Sequence, residues 1–268
     1  MRHTKRILFI TALLAAGLFA ERTGLSNQSA LLTAKSAIVM DAKSGVVLFE
    51  RNSNLRLPAA STVKVLTAII TAENLDLEKK LSVSKRAAGI APSKVYLSEK
   101  ESYKTKDLLL CFLMSSANDA GVVLAEAMAK TEYEFSLLMN KKAKSWGAKN
   151  SFFLNATGLP EYKKRQYSTA YDLALFMRKC IQYPVLTQMM QKKHANISGS
   201  DGKVIILRNH NKFLWSTTND LIGKTGYTQG AKHCFLGLFS KGNRKFIVAI
   251  LGSRKPWDDL EYLIGKKY

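Results

Sequence analysis

The stretch Pro58-Ala59-Ala60-Ser61-Thr62-Val63-Lys64-Val65-Leu66-Thr67-Ala68-Ile69-Ile70 decides how the chain is read. Pro58 closes an extended segment, Ser61 stands where a helix can begin, and the Val/Leu/Ala/Ile run behind it has the length and composition of a buried helix. Residues i and i+3 share a helix face, so the Lys64 ammonium is expected over the Ser61 hydroxyl. A serine is a poor nucleophile until a neighbour takes its proton, and a lysine can do so when burial and a second cation lower its pKa. A helix start also offers free backbone N–H groups to an incoming carbonyl oxygen. The spacing alone is weak, since Ser82 with Lys85 and Ser200 with Lys203 repeat it, and such pairs are ordinarily caps or solvated neighbours. The apolar helix behind Ser61 and two motifs downstream set it apart.

At 268 residues and 47% hydrophobic composition, the chain can bury one good core. It opens with Met1-Arg2-His3-Thr4-Lys5-Arg6, an apolar run from Ile7 and small residues near Ala16 to Ala20. That pattern predicts a secretory signal peptide over residues 1–20, with retention as an anchor an open alternative. The expected place of work is therefore outside the cytoplasm, in a bacterial periplasm or on the outer face of the cytoplasmic membrane. Cys111, Cys180 and Cys234 are far apart, odd in number and set among apolar neighbours, which reads as small buried hydrophobes. The formal net charge of +21 attracts polyanions, which outside a cell means anionic lipid head groups or phosphate-bearing wall polymers. The cations come as scattered pairs and triplets without interleaved aromatics, so a nucleic-acid platform is excluded.

Ser36–Asp41 and residues 46–50 are β-rich runs around a Gly45 turn. The Ser61 helix follows, then a polar, broken region over residues 75–105. Residues 106–114 are too apolar to be anything but buried, and they run into Ser115-Ser116-Ala117-Asn118. Helices are expected over residues 119–129, 132–146 and 169–181, the last stopping before Pro184. Strands return over residues 203–207, 221–228, 234–239 and 245–251, and residues 257–264 read as a closing helix. The economical arrangement is an α/β (α+β) fold, with one antiparallel sheet built from both chain ends, helices on its faces and a helical insertion between. One catalytic domain is expected over residues 30–268.

Ser61-x-x-Lys64, Ser116-x-Asn118 and Lys224-Thr225-Gly226 occur in that order, the second between two helices and the third in a strand. This trio marks active-site-serine, penicillin-interacting enzymes. The chain resembles the low-molecular-mass penicillin-binding proteins, the serine D-Ala-D-Ala carboxypeptidases, from about Ala37 to the C-terminus. Residues 153–160, 168–172 and 208–211 share the likeness. The resemblance implies a penicillin-binding-protein/β-lactamase-like fold and a penicillin-sensitive enzyme that removes the terminal D-alanine from peptidoglycan stem peptides. It implies Ser61 as nucleophile, Lys64 as general base and Ser116 as proton relay. Asn118 would hold Lys64 and a substrate amide, while Lys224 and Thr225 would hold the terminal carboxylate. Gly226 would admit the substrate edge to edge, with the Ser61 and Tyr227 N–H groups as oxyanion hole. β-Lactams are implied as covalent inhibitors, with no cofactor and no metal, since His194, His210 and His233 lack ligand spacing.

Some features depart from the family. Ala231 is followed by Lys232 where relatives carry a small Ala-Gly step, and with the sequence ending at Tyr268 the β-rich second domain and amphipathic anchor helix of many relatives are not expected. A β-lactamase would need a carboxylate to activate the deacylating water, for which Glu161 is the nearest candidate. A penicillin-recognising sensor that acylates without turnover is the rival from another class. Asn155, Thr157 and Gly158 read as a turn, and His233 and Cys234 as packing.

Overall fold

Ser36-Ala37-Ile38-Val39-Met40-Asp41 is buried along its whole length, and a strand with no solvent-facing side must lie inside a sheet covered on both faces. It is β1 in a computed structural model that describes residues 32–216 and 221–268; the expected signal segment over residues 1–20 lies outside them. All that follows concerns the compact unit Ala34–Tyr268. Here β1 (Ser36–Asp41) pairs antiparallel with β2 (Val47–Arg51) on one side and with the late strand β9 (Arg244–Ser253) on the other. With β7 (Ile222–Thr228) and β8 (Lys232–Lys241) the order is β2-β1-β9-β8-β7, an antiparallel sheet drawn from both ends of the chain as expected. The turn at Lys241-Gly242-Asn243 joins β8 to β9, with Gly242 at φ +55°.

The sheet ends at β7, which has a ladder partner on one side, β8. A 3-10 turn, Ala60–Val63, packs against that strand and leads directly into helix α1 (Lys64–Asn74). Residues 64–71 are all buried, as a helix hydrophobic all round must be. Helix α1 is the axis of the molecule. Around it pack α3 (Thr105–Met114), α4 (Asn118–Met128), α5 (Glu132–Ser145) and α6 (Ala170–Cys180), and α6 also covers β1, β8 and β9. At about 1.5–3 kcal/mol for each fully buried aliphatic side chain, Val65, Leu66, Ile69 and Ile70 fix α1 firmly in the core.

Several expectations are corrected. Ser61 lies in the 3-10 turn, and the α-helix proper starts at Lys64. The polar region over residues 75–105 carries a short hairpin, β3 (Lys80–Ser82) with β4 (Ser102–Lys104), and helix α2 (Lys85–Gly89) capped by Ser84. Pro184 opens helix α7 (Pro184–Gln191), because a proline at the first helical position gives up only an N–H that has no partner there. The strand expected over residues 203–207 is β6 (Val204–Arg208). It pairs with an unforeseen β5 (His194–Ser198) in a separate two-stranded sheet, burying Ile197 and Leu207 and leaving Val204 and Ile206 exposed. Helix α8 (Pro256–Gly265) closes the chain against β8 and β9. Cys111, Cys180 and Cys234 are free and buried, as read from their apolar settings. Among the described residues no helix is long and apolar enough to cross a membrane.

Candidate active site

Ser61 sits on the 3-10 turn because Ala60 takes a left-handed conformation (φ +47°) and the Thr62 hydroxyl donates to Ala59 O at 2.6 Å. The turn leaves Ser61 partly exposed while Thr62 and Val63 are buried. One turn on, Lys64 is completely buried, yet its Nζ has three acceptors: Ser61 Oγ at 3.0 Å, Asn118 Oδ1 at 2.7 Å and Thr157 O at 2.8 Å. Burial first, and then the positive charge of Lys224, drive its pKa well below the usual lysine range; Glu132 and Asp119 oppose this. A neutral amine at Lys64 can accept the Ser61 proton.

Ser116 lies in the connection from α3 to α4, with a left-handed backbone at φ +58°. That strain is held by neighbours: Ala117 N donates to Cys111 O, and Ser115 Oγ donates to Arg208 O. Asn118 is the first residue of α4, and its N–H donates to Ser93 O at 2.7 Å. Its Nδ2 donates to Ala91 O at 3.0 Å, so one amide proton at most remains for a ligand.

Lys224, Thr225, Gly226 and Tyr227 follow one another on β7. Burial pushes Lys224 down to about 7, and its Nζ donates to Thr225 O at 2.8 Å. Gly226 has a definite reason to be glycine. A Cβ there would stand 3.0 Å from Ser61 N and 3.2 Å from both Thr62 N and the Ala60 Cβ, so the bare backbone lets β7 lie against the serine turn. Tyr227 is 58% exposed, its ring 4.7 Å from that of His233. Ser61, Ser116, Thr225, Gly226 and Tyr227 line one cleft of about 290 Å³. Lys64, Asn118 and Lys224 lie buried beneath them. All eight predicted residues thus belong to one neighbourhood, although 163 positions separate Ser61 from Lys224 along the chain.

A family model for D-alanyl-D-alanine carboxypeptidase, peptidase S11, matches residues 23–255, which contain all three motifs. The chain belongs to the S11 D-alanyl-D-alanine carboxypeptidase family. It is 34% identical over 247 residues to D-alanyl-D-alanine carboxypeptidase DacF of Bacillus subtilis (strain 168), covering 90% of this chain and 63% of that relative's length. A crystal structure of D-alanyl-D-alanine carboxypeptidase from Mycobacterium tuberculosis H37Rv superposes with a TM-score of 0.81 at 30% identity, covering 87% of this chain and 90% of that one. Penicillin-binding protein D2 of Listeria monocytogenes, solved in an ampicillin-bound form, gives 0.77 at 28% identity, covering 87% and 97%. The antiparallel sheet with flanking helices is the fold of these DD-peptidases.

Asn155, Thr157 and Gly158 form a turn, as read, and that turn also serves the site. Asn155 Oδ1 accepts from Gly158 N at 2.8 Å and from Thr157 N and Oγ1 at 3.3 and 3.2 Å, which points the Thr157 carbonyl at Lys64. Gly158 (φ +82°) has no room for a side chain, since a Cβ would meet Ala60 O at 2.1 Å. Sequence reasoning also missed Ser93, His210 and Trp257 in the cleft wall; burial, and then the Lys224 charge, lower the His210 pKa. The likeness of residues 208–211 to the family covers His210, while Ser93 and Trp257 lie in none of the stretches that carry the resemblance. Glu161, the carboxylate a β-lactamase would need, accepts from Asn155 Nδ2 at 3.0 Å and is not among the residues lining the Ser61 cleft.

Proposed function

We propose that the chain is a serine-type D-Ala-D-Ala carboxypeptidase in which Ser61, Lys64 and Ser116 are catalytic and Asn118, Lys224, Thr225, Gly226 and Tyr227 bind the substrate. The observation that carries this reading is the buried Lys64 amine, within hydrogen-bond distance of Ser61 and depressed in basicity by burial and Lys224. Neutral Lys64 takes the Ser61 proton as Oγ attacks the carbonyl between the two D-alanines. The oxyanion meets the backbone N–H groups of Ser61 and Tyr227, each such donor being worth about 3 kcal/mol in the barrier. The proton passes from Lys64 through the Ser116 hydroxyl to the leaving nitrogen, the C–N bond breaks, and D-alanine departs from an acyl-enzyme on Ser61. Water then attacks the ester, giving its proton to Lys64; the Oγ–acyl bond breaks, Lys64 returns the proton to Ser61, and the shortened peptide leaves. Cationic Lys224 and the Thr225 hydroxyl hold the terminal carboxylate.

A β-lactam offers an acyl group, here strained, beside a comparable anionic carboxylate, so covalent inhibition at Ser61 belongs to this reading, and the ampicillin-bound Listeria relative supports it. We take residues 30–268 as one catalytic domain acting outside the cytoplasm on wall stem peptides, drawn by its excess of basic residues to anionic membrane or wall polymers. Mass spectrometry with penicillin and with a pentapeptide ending in D-Ala-D-Ala tests the proposal. One adduct per chain and loss of one D-alanine are expected, both abolished in Ser61→Ala. An adduct without D-alanine release would leave only a sensor.

A further inference from the structure

The small sheet of β5 and β6 buries one face and turns the other to solvent. On that outer face the cross-strand pairs His194 with Arg208, Asn196 with Ile206 and Ser198 with Val204 stand in a row, all exposed. Val204 is 55% and Ile206 75% exposed, two branched aliphatic side chains that the fold leaves in water. At one end of the row lies the Trp215 ring. The His194 ring meets it edge-on at 4.9 Å, and the Arg208 guanidinium and Lys193 Nζ stand 4.7 and 6.0 Å from its centroid. Residues 192–216 hold five cations, Lys192, Lys193, Lys203, Arg208 and Lys212, against one acid, Asp201. All five are exposed, and among the described residues none has an ion-pair partner. Asp201 lies in the turn, where Ser200 Oγ also donates to Glu101, so the acids gather at the turn and leave the Trp215 end basic. Aliphatic side chains, an amphipathic ring and unpaired cations on one face suit an anionic bilayer: the first two enter the head-group boundary and the cations meet lipid phosphate. A polar phosphate polymer would leave Val204 and Ile206 in water, and a second copy of this face would bring like charges together.

We infer that the outer face of β5 and β6, with Trp215, docks on an anionic lipid bilayer. This gives the attraction to membrane or wall polymers proposed above a place on the molecule and a single partner, and it does not depend on the hydrolase reading. Two residues beyond Arg208, His210 lines the Ser61 cleft, so a protein seated on this face holds its cleft beside the lipid. The test uses the full chain carrying Ile206→Cys labelled with a nitrobenzoxadiazole dye, whose emission reports polarity; the native cysteines are buried. The apolar run of residues 7–20 can tether the chain by itself, so the signal is read at position 206 and not from total binding. On vesicles of equal phosphatidylglycerol and phosphatidylcholine the emission rises about twofold or more and shifts to the blue, and on phosphatidylcholine alone it does not. Lys193→Ala/Arg208→Ala, and separately about 0.5 M salt, remove most of that change. The same dye at Tyr162→Cys, where the side chain is 99% exposed, does not respond. No change at position 206 on the anionic vesicles, an equal change at position 162, or a change indifferent to lipid charge and to the double substitution would overturn the inference. An equal response of the position 206 dye to soluble poly(glycerol phosphate) would overturn it too, and would give the face to a wall polymer.

Discussion

Lys64 Nζ stands 3.0 Å from Ser61 Oγ although the two residues belong to different elements, the 3-10 turn and the helix behind it. The helix buries the amine and the turn keeps the hydroxyl at the cleft, so a base that has lost its water meets a nucleophile that has kept access. Removing the hydroxyl while leaving both elements in place isolates its chemical role. Ser61→Ala should fold with an unchanged circular dichroism spectrum and lose acylation by penicillin by about 10⁴-fold or more, the scale of removing an enzymic nucleophile. Stopped-flow acylation beside thermal melting checks both halves.

The two buried lysines give activity two opposed limbs. Lys64 must be neutral, so kcat/KM rises with pH through its depressed pKa; Lys224 must be charged, so kcat/KM falls as pH climbs through about 7 in the free protein. A bell-shaped profile is expected, and Lys224→Arg, which keeps its charge, should lift the alkaline limb by at least one pH unit. A profile still falling at the same pH in that variant would remove Lys224 from the role.

Stability carries the same sign information. The folded value of Lys224, about 7, lies below its unfolded value, so between about 7 and about 10 the unfolded chain binds more protons and stability rises with pH. Below about 7 both states are protonated and the cost of burying the charge is felt in full. Urea midpoints should therefore increase from pH 7 to pH 10, and Lys224→Met should flatten that increase.

Asn155 is not among the residues lining the Ser61 cleft, but its side chain sets the carbonyl that receives Lys64. Asn155→Ala leaves Thr157 N, Gly158 N and the Glu161 carboxylate without their partner, at about 0.5–1.5 kcal/mol for each hydrogen bond. A loss of about 2–4 kcal/mol in chemical denaturation is expected. The acid limb of the acylation profile should move as well, which a merely structural role would not do.

Gly226→Ala tests the seating of β7. Its methyl carbon would be 3.0 Å from Ser61 N, so the strand must draw back from the turn and carry Tyr227 N–H with it. Acylation should drop by about 10²-fold, as for loss of one oxyanion donor, while the sheet survives because β8 still pairs with β7.

Much of this was legible one residue at a time. The β-rich run of β1, the helix behind Ser61 and the strand around Lys224 follow from the local composition of each segment. Helix α6 stops before Pro184 as read, but the helix that Pro184 opens went unread, because a proline that forbids the continuation of one helix suits the start of the next. Strand β5 escaped because His194-Ala195-Asn196-Ile197-Ser198 has one well-buried residue, Ile197, and becomes a strand only through its partner β6.

By itself the sequence determined the chemistry on offer: a serine three residues before a lysine on an apolar helix, a second serine with an asparagine, and a lysine on a late strand. Only the tertiary structure decided that the Thr157 carbonyl completes the Lys64 site and that Gly226 must be bare for the strand to reach the turn. The reason is physical. Residue types and periodicity fix what a segment can form, whereas the direction of a carbonyl, the depth of a charge and the space left for a methyl group are set by neighbours that arrive from elsewhere in the chain.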